Sequence, residues 1–153
     1  MNTDLLPPTR SARGVRVGDR IDELSIPVTP TFVVSTALAT RDFQDVHHDR
    51  DLAQSRGSAD IFLNILTSTG LAQRFVTDWA GPEALVREVS VRLGAPCYPY
   101  DTLVFTGEVT DVVTEQVEGV ERTVHLVKVT GNTDLGSHVV ATVRLQLPDV
   151  VGR

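Results

Sequence analysis

The stretch richest in groups that can do chemistry is 40–50, Thr-Arg-Asp-Phe-Gln-Asp-Val-His-His-Asp-Arg. It sets His47 and His48 among Asp42, Asp45 and Asp49, with Asp51 directly after it. Neither a 3.6-residue nor a 2-residue apolar period runs through it, which predicts a loop. Three uses compete for these residues. One is a solvated loop in which Asp49 caps a short helix through Ala53 and Gln54, ended by Gly57. A second is metal binding by the His48-Asp49 doublet. That needs further ligands, and His125 and His138 lie too far along the chain for local ligation, so no metal is expected. The third is an acid/base pair of Asp42 and His47. A loop can bring two side chains five positions apart onto one water molecule. Imidazole titrates near pH 6.5, so a neutral His47 can take a proton from water that Asp42 holds in place.

The remaining reactive groups carry weaker signals. Cys97 is the one cysteine, which excludes an internal disulfide and a multi-thiolate metal site. No basic neighbour in sequence lowers its pKa, so it is not read as a nucleophile. His125 and His138 alternate with apolar neighbours and read as surface or barely buried sheet residues. Arg41, Arg50, Arg56, Arg87 and Arg92 are cations available to an anionic ligand, and no spacing selects among them. Tyr98 and Tyr100 flank Pro99 in a turn and read as packing residues. A net charge of -6 weighs against nucleic-acid binding, which favours basic surfaces. No apolar run approaches the ~18 residues that span a bilayer. Met1–Pro8 lacks the basic start and apolar stretch of a secretory signal, so the expected compartment is the cytoplasm.

The elements that must position the loop follow from patterning. Residues 1–20, punctuated by Pro7, Pro8, Gly14 and Gly18, read as a flexible arm before one domain over 21–150. Thr29-Pro30 is a helix-start signal, yet the β-branched run 32–39 favours a strand running into a short helix. From Ile61 to Trp79, Ile61, Ile65, Ala72, Phe75, Val76 and Trp79 recur at helical steps. Asp60 is the expected cap and Gly81-Pro82 the stop; Gly70 in the middle suggests a close approach to the backbone. After Pro82 the period becomes 2: Val89, Val91, Leu93; Leu103, Phe105, Val109; a run at 121–130; and Val139, Ala141, Val143, Leu145. These predict antiparallel strands, with turns at Glu118-Gly119 and Gly131-Asn132. One apolar helix among so many strands must be wrapped by the sheet, an α+β arrangement of the hotdog kind.

Residues Arg41 to His47 followed by Asp49 resemble the hydratase signature of the MaoC-like (R)-specific enoyl-CoA hydratases, Gly-Asp-x-Asn-Pro-aliphatic-His. Asp42 and His47 fall on its acid and its imidazole. Ile61-Phe62-Leu63-Asn64-Ile65-Leu66-Thr67 is similar to the start of that family's central helix, Ile-Ala-His-Gly-Met-Leu-Thr, and Arg74 and Trp79 continue the similarity. The likeness spans residues 18–147. It departs at Gln44 for asparagine, Asp45 for proline and Leu63-Asn64 for His-Gly. Together with 34–40, 47–50 and Val76–Pro82, the pattern is most similar to one branch, the small MaoC-like subunits of bacterial cholesterol side-chain hydratases.

The resemblance implies a hotdog fold and a hydratase subunit. It would add water across the double bond of a steroid side-chain enoyl-CoA, with Asp42 and His47 as the dyad. The backbone N–H of Asn64, by position, would face the thioester oxygen at the helix start. No separate cofactor is implied, CoA being part of the substrate. The implied partner is a second MaoC-like hotdog subunit in an α2β2 assembly, which would also cover an open sheet edge. The alternatives are a non-catalytic subunit that completes a partner's tunnel, and a hotdog thioesterase or carrier-protein dehydratase.

Overall fold

The computed structural model describes residues 8–149. Its elements run β1 (Arg20–Pro27), α1 (Pro30–Ala39), a 3-10 turn (Asp45–His47), α2 (Arg50–Ser55), α3 (Ile65–Ala80), β2 (Leu85–Leu93), β3 (Thr102–Val117), β4 (Val120–Thr133) and β5 (Gly136–Gln146). The five strands form one sheet in the order β1-β3-β4-β5-β2, every neighbouring pair antiparallel. Helix α3 lies against it, which is the hotdog arrangement.

The alternation of apolar residues works as expected in β3 and β5. Leu103, Phe105 and Val109, and Val139, Ala141, Val143 and Leu145, all point into the core. Against them α3 buries Leu71, Ala72, Phe75, Val76 and Ala80. Phe75 stacks on Phe105 with ring centroids 5.7 Å apart. Gly107 makes this contact possible, since a Cβ there would meet Phe75 Cε1 at 2.8 Å. Gly81, with φ 98°, ends α3 in a conformation that glycine adopts without strain.

Several local expectations are corrected. Residues 30–39 are helical throughout. Thr29 Oγ1 accepts from Phe32 N–H at 3.0 Å, and Pro30 supplies the first helical position. The hydroxyls of Ser35, Thr36 and Thr40 bond back to carbonyls one turn earlier, so their β-branched and polar character is absorbed within the helix. Helix α3 begins at Ile65, not Asp60. Asp60 instead accepts Ile61 N–H and the Arg50 guanidinium, and the cap is Asn64. Ile65 therefore faces outward, 49% exposed. Among the described residues nothing lies within 4 Å of a Cβ built on Gly70, so they make no close approach there. Gly131 and Asn132 are strand residues that pair with Val139 and Ser137; the turn falls at 134–135. Strand β1 had no sequence signal. Residues 1–7 of the expected arm lie outside the described residues, and from Thr9 on the segment packs. Thr9, Ala12 and Val15 are buried, and Arg10 N–H and Ala12 N–H donate to the carbonyls of Ala80 and Pro148.

Candidate active site

Asp42 is delivered by the end of α1. Thr40 caps that helix. Arg41 N–H returns to Leu38 O at 3.0 Å and Asp42 N–H to Ala37 O at 2.9 Å. This paired closure is a Schellman motif. The residue at its left-handed position is Arg41, with φ 57°, where glycine is the common choice. Asp42 is the next residue, so its backbone is fixed by the last turn of α1. His48 Nε2 also meets Asp42 O at 2.6 Å. The carboxylate accepts Gln44 N–H on Oδ1 at 3.2 Å and Asn64 Nδ2 on Oδ2 at 3.0 Å.

His47 ends the 3-10 turn, its N–H bonded to Gln44 O. Its Nδ1 lies 2.7 Å from Phe62 O. A carbonyl only accepts, so Nδ1 carries a proton and Nε2 holds the lone pair of the neutral ring. The Phe62 ring meets the imidazole edge-on at 4.9 Å. Nε2 then stands 3.5 Å from Asp42 Oδ2. The imidazole side chain is 7% exposed and the carboxylate 20%. The two groups named from the sequence are thus brought together, and both can touch one water oxygen at ordinary ~2.8 Å distances.

Asn64 is the third residue at this point, 3% exposed. Its Oδ1 accepts Thr67 N–H at 2.9 Å, and its Nδ2 also donates to Thr40 Oγ1 at 2.8 Å. Because α3 starts one residue later, Asn64 N–H sits just before the first turn rather than inside it. It makes no hydrogen bond among the described residues. The Asn64 amide, against the opposing effect of partial burial and with help from Gln44 N–H, holds the Asp42 carboxyl below the ordinary carboxylate range.

The other groups singled out in the sequence have partners or surroundings of their own. Burial pushes the Cys97 thiol up to about 12. Arg50 pairs with Asp60 and Arg56 with Asp45, and Arg87 bonds Gln146 Oε1. Among the described residues no three metal-ligating side chains converge. His125 and His138 are fully buried rather than at the surface. His138 Nδ1 meets Ala95 O at 2.7 Å and Nε2 meets Ser68 Oγ at 2.8 Å, tying β5 to the first turns of α3. Burial lowers the His138 pKa, so the ring is neutral and Ser68 Oγ–H donates to it. Sequence gave no sign of this link, because its partners lie 70 residues apart.

A cleft of 600 Å³ opens beside the dyad, lined by Val34, Leu38, His48, Arg50, Ile61 and Tyr100 among others. Asp42 and His47 do not line it. The surface around them carries exposed apolar side chains, Phe43, Leu38, Ile65 and Leu66.

Residues 14–132 match the MaoC like domain. The chain belongs to that family. A relative from Mycobacterium tuberculosis, named 3-oxo-4,17-pregnadiene-20-carboxyl-CoA hydratase beta subunit, is 57% identical over 133 residues, 87% of this chain and 97% of the relative. The solved ChsH1-ChsH2 complex from the same organism contains a chain that superposes with a TM-score of 0.79 at 57% identity, covering 86% of this chain and 98% of that one. An (R)-hydratase from A. caviae involved in PHA biosynthesis matches at 17% identity with a TM-score of 0.74, over 89% of this chain and 99% of its own, a likeness of fold. The MaoC-like fold therefore persists where little of the sequence does.

Proposed function

We propose that this MaoC-like chain is the dyad-bearing subunit of an enoyl-CoA hydratase that adds water to the side-chain double bond of a steroid CoA thioester. The observation that carries the reading is the 3.5 Å approach of His47 Nε2 to Asp42 Oδ2, with the Nδ1 proton committed to Phe62 O. The unprotonated Nε2 takes a proton from a water that Asp42 orients. The water oxygen attacks the β-carbon, and the proton returns to the α-carbon from the same face, so H and OH add syn. Charge that builds on the thioester oxygen is met by Asn64 N–H, which has no partner among the described residues, beside the positive end of α3. CoA arrives as part of the substrate, and no other cofactor enters the scheme.

The steroid side chain and the second hotdog subunit are proposed from the 57% identical relative and the ChsH1-ChsH2 complex. The exposed Phe43, Ile65 and Leu66 beside the dyad support a substrate tunnel completed by that second subunit. The proposed compartment is the cytoplasm, where CoA thioesters are handled. No helix of the described residues is long and apolar enough to cross a membrane.

Asp42→Asn and His47→Ala, each made in the complex with its partner, are expected to lower hydration by about 10²–10⁴-fold with assembly unchanged by gel filtration. Loss of the enoyl absorbance, without release of free CoA thiol, reads the reaction and separates it from thioester hydrolysis. Full turnover in both variants would mean that the partner supplies the reacting groups and that this subunit completes its tunnel.

A further inference from the structure

The side chain of Asn64 is the point at which three elements meet, and the proposed dyad needs only its backbone. A side-chain amide offers two N–H donors and one principal acceptor, and here all are used on different parts of the chain. One N–H goes to Thr40 Oγ1, the cap of α1, at 2.8 Å. The other goes to Asp42 Oδ2 at 3.0 Å. The carbonyl takes Thr67 N–H in the first turn of α3 at 2.9 Å. The orientation of the amide is forced: Thr67 N–H can only donate, and the Asp42 carboxylate can only accept. Thr40 Oγ1 in turn lies 3.0 Å from the carbonyls of Thr36 and Ala37. The hydroxyl therefore gives its own proton to α1 and receives one from Asn64.

We infer that the Asn64 side chain is the positioning residue for Asp42, clamping its carboxylate to the end of α1 and the start of α3 at once. Two consequences follow from the bonds. The first is orientation. The Asp42 backbone is set by the Schellman closure, which leaves the side chain free to rotate. The Gln44 and Asn64 contacts fix one oxygen each, and the Asn64 contact falls on the oxygen nearest His47. The second is charge. A donor on that oxygen favours the ionised carboxylate, the form that accepts a hydrogen bond from water. The same amide caps α3, so the peptide that carries the proposed oxyanion N–H and the carboxylate that orients the water are held at a fixed separation by one side group.

This inference rests on the hydratase reading of the dyad, and its test keeps the two apart. Asn64→Gly retains the backbone N–H and costs the helix cap only a few tenths of a kcal/mol, while removing both ties to Asp42 and Thr40. Asn64→Asp retains a strong cap for Thr67 N–H but sets a second carboxylate against the first. The Asp42 carboxyl is followed by ¹³C NMR on the full chain, its signal assigned by its loss in Asp42→Asn. Hydration by the complex is followed against pH. The expected result is an Asp42 midpoint that moves upward in both variants, further in Asn64→Asp. With it, kcat falls by about 10–100-fold, KM is nearly unchanged, and the acidic limb of the rate profile moves in the same direction. An Asp42 midpoint that stays in place in both variants overturns the positioning role, even if activity falls. If the midpoint moves but Asp42→Asn hydrates at the full rate, Asn64 positions Asp42 as inferred and the dyad reading is the one that fails.

Discussion

Arg41 is the residue on which the placement of Asp42 turns. A side chain in the left-handed region costs about 1–2 kcal/mol, and Arg41 holds φ 57° because its N–H and that of Asp42 close the end of α1. Arg41→Gly removes the clash and adds back about 0.5–1 kcal/mol of chain entropy. The expected outcome is a gain of up to about 1 kcal/mol and a Tm higher by about 2–4 °C in a thermal melt. A lower Tm would show that the arginine makes compensating contacts. At this scale the sequence was informative where chemistry is local. Asp42 and His47 lie five positions apart on one loop; their types and spacing offered the acid/base pair as one of three uses, the resemblance favoured it, and the fold brings the two side chains to 3.5 Å. The side chain of Asn64 was not legible, because its partners Thr40 and Asp42 lie 24 and 22 positions away. Cys97 reads as inert both from its neighbours and from its burial.

Elements divide by how their periodicity is expressed. Strands β3 and β5 alternate cleanly and were readable. Strand β1 was not: its register shifts between Ile21 and Leu24, which leaves Asp22 and Glu23 between apolar residues and breaks the period of 2. Helix α1 was half legible, since its Thr29-Pro30 start was plain but Val33, Val34 and Thr36 read as strand. What decides in favour of helix is burial of Val33 and Ala37, one turn apart, on the same face. Helix α3 was recognisable along its length and misplaced at its start, because Asp60 and Asn64 are both good caps and Arg50 occupies the first. The contact between α3 and the sheet gives a prediction that belongs to this level. Gly107→Ala places a methyl 2.8 Å from Phe75 Cε1 and is expected to cost about 1–3 kcal/mol by urea denaturation. Pairing it with Phe75→Leu should recover part of that loss, a coupling that a double-mutant cycle reads directly. Additive losses would show that the strand, not the ring, gives way.

Across the whole molecule, the sheet order leaves β1 and β2 as its two edges. They are not equivalent. Strand β1 carries the acidic bulge at Asp22-Glu23 and closes on Pro27, both features that discourage a further strand. Strand β2 pairs regularly with β5 over Glu88–Leu93, and its outer side has no neighbour among the described residues. Residue-resolved hydrogen exchange is expected to show β2 amides gaining protection when the proposed partner subunit binds, with β1 amides unchanged. Protection gained at β1 instead would reverse the assignment of the interface. The asymmetry has a consequence for how large an assembly can become. A subunit with one receptive rim and one guarded rim can extend its sheet a single time. Once two such rims have met, only defended margins face outward, and growth stops at a closed particle rather than running on into a fibre.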